Sequence, residues 1–480
     1  MELILIIGSP IIASIASFFS KKRKTSEMAT IIAGAVALAA ALFTALKVSS
    51  EGVFSPNDYF SVDALGAIII VMITFIGCTA AAYSISYLRK ETEKEIIDFA
   101  KVRQYFILFN LFIAAMLLAA STSNPIIMWI AIEGTTLSTA FLISFYNKPS
   151  AMEAAWKYLI INSIGLLLGF FGTLLFYTAL THGEGSIFSW DSLMDSAKSL
   201  DPMIAKIAFI FVLVGYGTKT GLAPMHTWLP DAHSKAPAPI SGLLSGLLLN
   251  VAMLAILRFK VVADNAIGGQ FTDNLLIWFG LISIVLASFI ILVQKNYKRL
   301  LAYSSIENMG IAALGFGLGG LGAFAAILHI IYHALAKSLL FFASGNIFLR
   351  YSSTKIAKVK GMLSAIPATS LVFIIGFLTI VGVPPFGIFM TKFYILSEGL
   401  KIHPVQTIIA LAAFVIIFIG FLTHAAAMLF GNVPEGISKE KENKLTIIPL
   451  AVLIIVFVVL SVYLPQPLKI LIDSVLIKYQ

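Results

Sequence analysis

Cysteine is nearly absent from the sequence, because Cys78 is the single cysteine among 480 residues. One thiol cannot form a disulfide within the chain, and an iron–sulfur cluster needs about four ligands of this type. We therefore expect no redox centre in this chain. Any redox chemistry that is coupled to it is expected in another subunit.

Charge is also scarce, because 12% of the residues are charged and 59% are hydrophobic. The mean hydropathy of +0.95 excludes an ordinary soluble domain and indicates a polytopic membrane protein. At about 20 residues per span, the length allows roughly 12–15 transmembrane helices. The net charge of +9 is then expected to reflect basic loops on one membrane side, and it does not indicate a nucleic-acid partner.

The apolar segments predict an all-α protein with about 14 transmembrane helices, of which the seventh and the twelfth are broken. The predicted spans, with boundaries good to a few residues, lie at about 2–19, 28–48, 62–87, 104–121, 125–145, 157–180, 203–232, 238–258, 274–293, 301–319, 322–348, 365–400, 405–430 and 446–464. The amphipathic tail after them is expected to lie at the membrane interface.

Basic residues are distributed unequally between the two sets of loops. Glu2 precedes the first apolar segment and a basic cluster follows it, the reverse of a signal peptide, so we expect an uncleaved span with its N-terminus outside. Alternate loops then hold 21 and 8 Lys and Arg residues. Basic residues are retained in the cytoplasm, so this asymmetry predicts a multi-pass membrane protein with both termini outside. A prokaryotic cell membrane is its expected location.

The most informative stretch, residues 207–250, begins IAFIFVLVGYGTKTGLAPMHTWLPDAHSK. Gly221 and Pro224 should break the helix just after Lys219, a charge that is buried too deeply to reach the interface easily. A broken helix beside an ionisable residue is typical of an ion pathway. The letters GTKT do not have the spacing of a phosphate-binding loop, which excludes ATP binding here.

Two halves of the sequence resemble each other in spacing. Glu133 precedes Lys219 by 86 residues, and Glu307 precedes Lys392 by 85. Each lysine lies beside a Gly/Pro break, which predicts two inverted five-helix repeats with one site in each, although the matching intervals can also arise by chance. The predicted division is N-terminal helices (1–103), first repeat (104–260), second repeat (261–430), and last helix with tail (431–480).

The first half offers three candidate residues for proton transfer. Glu133 and Lys219 form a predicted carboxylate–amine pair, in which each group favours the charged form of the other. Lys157 is a second candidate partner for Glu133 or a relay to Lys219. The alternatives are a static ion pair for the first two residues and a lysine that extends to the interface for Lys157.

The second half offers a ladder of bases. His329, His333 and Lys337 recur at every fourth residue and therefore share one helical face. Neutral imidazole both donates and accepts, so such a ladder can pass protons. The main alternative is that these side chains are buried polar residues whose hydrogen bonds are satisfied inside the protein. A metal site is disfavoured, because no third ligand is evident. Lys392 follows the second break, with Glu307 as its candidate partner.

Further polar residues follow the first break. His226, Asp231 and His233 are expected in a loop that either gates entry from the cytoplasm or caps it. Lys298 and Arg299 are assigned to a basic loop that sets topology.

Four motifs carry a resemblance to a known family: the stretch 207–250, AYSSIENMG at 302–310, HALAKSLLFFASG at 333–345 and GVPPF at 382–386. Residues 60–430 resemble the antiporter-like subunits of respiratory complex I, of Mrp sodium/proton antiporters and of energy-converting hydrogenases. EGTTLSTAFL, KYLIINSIG and GLAPMHTWLPDAHSKAPAPISGLLSGLL are most similar to hydrogenase-4 component F.

The resemblance implies fourteen spans, inverted five-helix repeats and a row of charges along the membrane midplane. It assigns Glu133, Lys219, Lys337 with its histidines, and Lys392 to that row. It implies other membrane subunits and a peripheral redox arm as partners, with nickel–iron and iron–sulfur centres in those partners and no cofactor in this chain.

One departure is that many relatives carry a lysine or histidine in the eighth span. Asn250 and Ser245, which do not titrate, stand there instead, so the link between the halves would use water, Asn250 or a histidine elsewhere.

These observations lead to one functional expectation and two rivals. We expect a proton-translocating subunit of a complex-I-like energy-converting hydrogenase or a related oxidoreductase. A sodium/proton antiporter subunit of an Mrp-type assembly is the first rival, and a structural scaffold with vestigial channels is the second.

Overall fold

The structure is a computed structural model that describes residues 2–178, 188–437 and 441–479. Its helices give fourteen spans, which confirms the predicted fold class. They are Glu2–Phe19, Arg23–Glu51, Ala64–Glu93, Phe99–Ser121, Pro125–Ile143, Pro149–Tyr177, Pro202–Thr220 with Trp228–Lys235, Ala238–Leu243 continuing through Leu244–Leu248 and Leu249–Ile267, Gln270–Leu292, Tyr297–Leu318, Gly320–Tyr351, Pro367–Val381 with Gly387–Ile402, Pro404–Leu429 and Lys444–Val462.

Twelve of these spans, within the described residues, are long and apolar enough to cross a membrane by length and hydropathy alone. The other two are the tenth, Tyr297–Leu318, and the twelfth, which is divided into two short halves. The tenth carries the polar run Tyr303–Ser305 and Glu307–Asn308, which lowers its hydropathy. The two exceptions are therefore spans that carry candidate functional residues.

Shorter elements complete the described chain. They are the antiparallel strands Phe54–Asn57 and Phe60–Val62, the helices Trp190–Ser196, Met362–Ala365 and Gln466–Tyr479, and the 3-10 turns Ala197–Ser199, Met225–Thr227 and Ile356–Lys358. Asn and Asp cap several helices, as at Asn124, whose side chain accepts from the backbone N–H groups of Ile126 and Ile127.

Both predicted helix breaks are present. Gly221 ends the first half of the seventh span with φ 80°, and Gly382 ends the first half of the twelfth with φ 87°. This left-handed conformation costs glycine nothing, whereas an L side chain is strained in it. The break exposes the last carbonyl groups of each half-helix to neighbouring side chains.

The eighth span contains an irregularity that the sequence did not indicate. Leu244–Leu248 form a π-helical turn inside an otherwise α-helical span. Such turns are rare and occur often at functional sites. This one contains Ser245 and directly precedes Leu249 and Asn250.

Burial differs strongly among the spans. The most apolar stretch of the eighth span is 100% buried and that of the eleventh is 94% buried, against 28% in the fourteenth. The eighth and eleventh spans are therefore enclosed by protein. Charged side chains on the eleventh face other helices instead of lipid, which is where ionisable residues are tolerated in membranes.

The seventh span is held closely against the sixth. A Cβ at Gly215 would collide with the backbone of Gly169, so the two helices approach backbone to backbone. Small residues permit such packing in membrane proteins. The contact lies one helical turn from Lys219 and fixes its distance from the sixth span.

The C-terminal helix packs against protein along one face, where Leu471, Ile472 and Val475 are buried. Lys478 lies 3.3 Å from Asp63, which also lies 3.4 Å from Arg258. Burial disfavours the Asp63 carboxylate, but the positive charges of Arg258 and Lys478 hold its pKa well below its usual range. The predicted interfacial tail is thus tied to the start of the third span.

The predicted division of the chain needs adjustment at two boundaries. Positions 103/104 and 260/261 fall inside the helices Phe99–Ser121 and Leu249–Ile267. Boundaries that coincide with helix ends would lie after the third span and after the eighth. The division into repeats itself stays a prediction.

The predicted orientation can be tested by cysteine labelling, because Cys78 can be removed to give a cysteine-free background. Ser50→Cys and Lys148→Cys place thiols at exposed positions on opposite predicted sides. We expect a membrane-impermeant maleimide to label Ser50→Cys in intact cells and Lys148→Cys only after permeabilisation. The reverse pattern would overturn the predicted orientation.

Candidate functional site

Lys219 lies at the end of the first half of the seventh span and is fully buried. Its ammonium donates hydrogen bonds to the hydroxyl oxygens of Thr136 and Tyr158, each at 2.7 Å. It also lies 4.7 Å from the centre of the Tyr158 ring. Within the described residues, no carboxylate lies within ion-pair distance of this ammonium.

Glu133 lies on the fifth span and is only partly buried. Its carboxylate accepts from the Ser163 hydroxyl at 2.8 Å and from the Thr136 hydroxyl at 3.2 Å. Thr136 therefore accepts from Lys219 and donates to Glu133, since a hydroxyl can do both. The structure brings the predicted pair together through one bridging hydroxyl instead of direct contact.

Lys157 does not contact Glu133. It lies 2.6 Å from Glu153 and 3.6 Å from Asp231, and 49% of its side chain is exposed. The expected competition for Glu133 is not seen, because Lys157 lies near the start of its helix and reaches surface carboxylates instead. Its role as a relay has no support from this geometry.

The predicted ladder lies along the enclosed eleventh span. Nδ1 of His329 lies 2.9 Å from the Thr391 hydroxyl of the twelfth span, whereas neither ring nitrogen of His333 has a hydrogen-bond partner among the described residues. Lys337 donates to the carbonyl of Leu301 at 2.7 Å and to the Ser304 hydroxyl. The three bases are fully buried, and their spacing of four residues places them on one face of the helix.

Lys392 and Glu307 form the predicted pair in the second half. The ammonium and the carboxylate lie 2.8 Å apart, with both side chains buried. Lys392 also donates to the carbonyls of Val381 at 3.1 Å and Ile380 at 3.4 Å. These carbonyls end the first half of the twelfth span, so the helix break supplies acceptors to the lysine that follows it.

The eighth and tenth spans are joined by hydroxyl groups. Ser245 and Ser305 lie 2.7 Å apart, and Ser305 neighbours Ser304, which contacts Lys337. Asn250 donates to the carbonyl of Gly246 at 2.7 Å, and its own carbonyl oxygen has no partner among the described residues. Ser245 thus contacts the tenth span directly, while a link between the halves through water, Asn250 or a histidine stays a prediction.

The residues after the first break do not form a loop. His226 lies in a 3-10 turn, and Asp231 and His233 lie in the helix Trp228–Lys235, which is the second half of the seventh span. The expectation of a loop was wrong, because the helix resumes within one turn of Pro224. His233 is fully buried and stacks on Phe341 at 5.0 Å.

Asp231 faces a polar cavity at the end of the seventh span. The cavity has a volume of about 440 Å³ and is lined by Ser150, Glu153, Ala154, Lys157, Asp231, Lys235 and Arg299. Asp231 forms ion pairs with Arg299 and Lys157. The buried His233 does not line this cavity, although Asp231 and Lys235 on the same short helix do.

Several residues of the site were missed by sequence reasoning. Thr136, Tyr158 and Ser163 connect the first pair, yet hydroxyl residues in spans are too common to single out. Lys298 was assigned to a loop but lies in the first turn of the tenth span, 4% exposed, where it donates to the carbonyl of Ala236 at 2.9 Å. Its neighbour Arg299 instead forms an ion pair with Asp231 near the surface. Which of the two adjacent residues faces the interior depends on how the helix is rotated about its axis.

Comparison with known proteins gives one family match and several relatives. Residues 122–420 match the profile of the family described as NADH:quinone oxidoreductase/Mrp antiporter, TM. The hydrogenase-4 component F homolog of Methylacidiphilum infernorum (isolate V4) is 42% identical over 353 residues, which are 73% of this chain and 74% of that protein. NADH-quinone oxidoreductase subunit N of Desulforudis audaxviator (strain MP104C) is 30% identical over 342 residues, 71% of this chain and 66% of that protein.

Two solved structures share the fold. A chain of the membrane-bound sulfane sulfur reductase, an archaeal respiratory membrane complex, superposes with a TM-score of 0.86 at 24% identity, covering 99% of this chain and 97% of that chain. A chain of the Mrp complex from Dietzia sp. DQ12-45-1b superposes with a TM-score of 0.84 at 18% identity, covering 99% and 96%. At these identities the likeness concerns the fold alone.

The Lys392–Glu307 pair predicts a specific stability pattern. Lys392→Met leaves Glu307 buried without its counter-charge and should destabilise the protein by about 3–5 kcal/mol. The double variant Lys392→Met with Glu307→Met should recover most of that loss, because both charges are gone. Thermal unfolding of the purified protein measures both effects, and a double variant no more stable than Lys392→Met would contradict the pairing.

Proposed function

Because the chain belongs to the NADH:quinone oxidoreductase/Mrp antiporter family of membrane subunits, we propose that it translocates protons within a complex-I-like oxidoreductase of the energy-converting hydrogenase kind. The observation that carries the proposal is the row of buried amines: Lys219, Lys337 and Lys392 all lie in the protein interior. A purely structural span has no need of such charges, because each is costly in a bilayer.

The contacts of two of these amines, Lys219 and Lys337, suit reversible protonation. Lys219 and Lys337 are held only by hydroxyl and carbonyl oxygens among the described residues. These neutral acceptors can receive a hydrogen bond from an ammonium or from a neutral amine. A charged amine without a carboxylate is costly in a dry interior, which makes its neutral form accessible.

The two halves suggest how a proton is moved. In the second half, the amine of Lys392 touches the carboxylate of Glu307, and such contact favours both charged forms. In the first half, Thr136 separates Lys219 from Glu133. A lysine that alternates between these two arrangements takes up a proton when paired and releases it when separated.

The energy for transport comes from outside this chain in our proposal. Moving one charge against 100 mV costs about 2.3 kcal/mol. Other membrane subunits and a peripheral redox arm with nickel–iron and iron–sulfur centres would supply this energy. The relatives named for hydrogenase-4 and NADH-quinone oxidoreductase support such partners.

We predict that Lys219→Ala or Lys392→Ala abolishes proton pumping while the complex still assembles. Removal of either amine leaves no titrating group at that position, whereas Tyr158 keeps its 2.6 Å contact with Thr139. The measurement is acidification of inverted vesicles relative to electron flow. Lys401→Ala is the matched control, because Lys401 lies on the same half-helix as Lys392 but is 65% exposed.

Normal pumping by an assembled Lys219→Ala complex would remove this residue from the mechanism. Normal pumping by a variant that lacks all three buried amines would favour a scaffold. Loss of pumping in Lys401→Ala as well would show that the assay reports damage to the complex.

The composition of the intact complex should separate redox coupling from ion exchange. We expect mass spectrometry of the complex purified through this chain to show iron–sulfur and nickel–iron subunits. Small subunits of an Mrp assembly, together with sodium-dependent proton movement without electron flow, would instead favour the sodium/proton antiporter.

A further inference from the structure

A second buried carboxylate lies outside the row of residues described above. Glu91 is in the last turn of the third span and is fully buried. One of its oxygens accepts from the Tyr146 hydroxyl at 2.7 Å, and the other has no hydrogen-bond partner among the described residues. Glu91 also lies outside the region 122–420 that matches the family profile.

Tyrosines connect Glu91 with the surface. The hydroxyl of Tyr146 lies 3.2 Å from that of Tyr87, which is fully buried on the third span. Tyr146 is only partly buried and lies just after the fifth span, in the loop that is predicted to be cytoplasmic. Tyr146 thus joins Glu91 by a hydrogen bond to a residue whose side chain is partly exposed on that side.

Lys298, in the first turn of the tenth span, is a buried charge that acts on Glu91. The charges of Glu91 and Lys298 act on each other, and Lys94 adds a second positive charge near the carboxylate. The Lys298 ammonium is bound to the carbonyl of Ala236, three residues after His233. Lys298 therefore interacts electrostatically with a buried acid and with a buried imidazole.

His233 continues this series towards the second half. Its ring stacks on Phe341, one helical turn after Lys337 on the eleventh span. The charges of Lys337 and Lys298 both act on His233, and neither of its ring nitrogens has a hydrogen-bond partner among the described residues. A buried imidazole without fixed partners can accept a proton on one side and release it on the other.

We propose that Glu91 is the proton-loading residue of the second half, which it serves through Lys298 and His233. The proposal rests on the proposed function, since it assigns the entry route of the same transport. It gives the second half its own access from the predicted cytoplasmic side, separate from the cavity beside Asp231.

Each step of this route transfers one proton and leaves its donor ready for the next. The Glu91 carboxylate takes a proton from water through the Tyr146 hydroxyl and becomes a neutral acid. It passes the proton through water to the neutral amine of Lys298. Lys298 passes its proton to a ring nitrogen of His233, and His233 passes one to the neutral amine of Lys337.

A purely structural role for Glu91 makes a different prediction. As a packing residue it would only need to accept the hydrogen bond of Tyr146, which a glutamine does equally well. Glu91→Gln keeps the shape and the acceptor oxygen but cannot bind and release a proton. The variant therefore separates the two roles.

The test uses the intact complex in inverted vesicles. We expect Glu91→Gln to lower the rate of proton pumping about a hundredfold, the lower end of what a positioned acid–base group contributes. Glu91→Asp should restore part of the rate, because it can still ionise. The matched control is Glu93→Gln, on the same helix end but exposed, which should pump like the parent complex.

Infrared difference spectra add a measurement that would show no change if Glu91 served only in packing. A carboxylic-acid band that appears during turnover and is lost in Glu91→Gln would support loading at this residue. Should Glu91→Gln not assemble, Tyr146→Phe keeps the ring and removes the hydroxyl, and it should slow pumping about tenfold or more.

Parent-like pumping by Glu91→Gln, or by Tyr146→Phe when Glu91→Gln does not assemble, would overturn the loading role. If Lys219→Ala abolished pumping in the same assay, the proposed function would stand and only this route would fall. If none of these variants changed pumping, both proposals would fall together.

Discussion

The constraint on which the structure depends is the supply of oxygen acceptors to amines that lie far from water. A buried ammonium must donate its hydrogen bonds, and a continuous helix keeps its carbonyls for itself. The broken twelfth span frees the carbonyls of Ile380 and Val381, and Lys392 uses both. Lys219 relies instead on hydroxyls of neighbouring spans. The helix breaks and the hydroxyl residues therefore both supply hydrogen-bond acceptors to buried ammonium groups.

The two halves contain the same elements, but the lysine and the glutamate are arranged differently in each. Each has a broken span, a lysine beside the break and a glutamate about 85 residues earlier, yet one pair is in contact and the other is bridged by a hydroxyl. One fold thus accommodates both arrangements of a lysine and its glutamate. Two arrangements of similar energy are what a switching element requires, because a small bias from a partner can then select one.

Some of this site could be predicted from the sequence and some could not. The breaks at Gly221 and Gly382 and the Lys392–Glu307 pair follow from Gly/Pro chemistry and from spacing, which act locally. The hydrogen-bond bridge at Thr136 depends on how the fifth and seventh spans are rotated about their axes. The spacing of residues in the sequence does not determine that rotation. Lys298 and Arg299 illustrate the same limit, since adjacent residues of one helix face the interior and the surface.

Ser245 and Asn250 stand in the eighth span where the resemblance leads one to expect a lysine or histidine, so no titrating side chain links the halves at these positions. Ser245 and Ser305 touch, but a hydroxyl passes a proton only by giving up another at the same moment. Charge acts over longer distances: that of Lys392 acts on both Lys337 and His329. A proton that arrives at one amine therefore changes the cost of charging the next without travelling to it. The charge of Lys337 acts in the same way on His233 of the first half, so charge also acts across the boundary between the two halves.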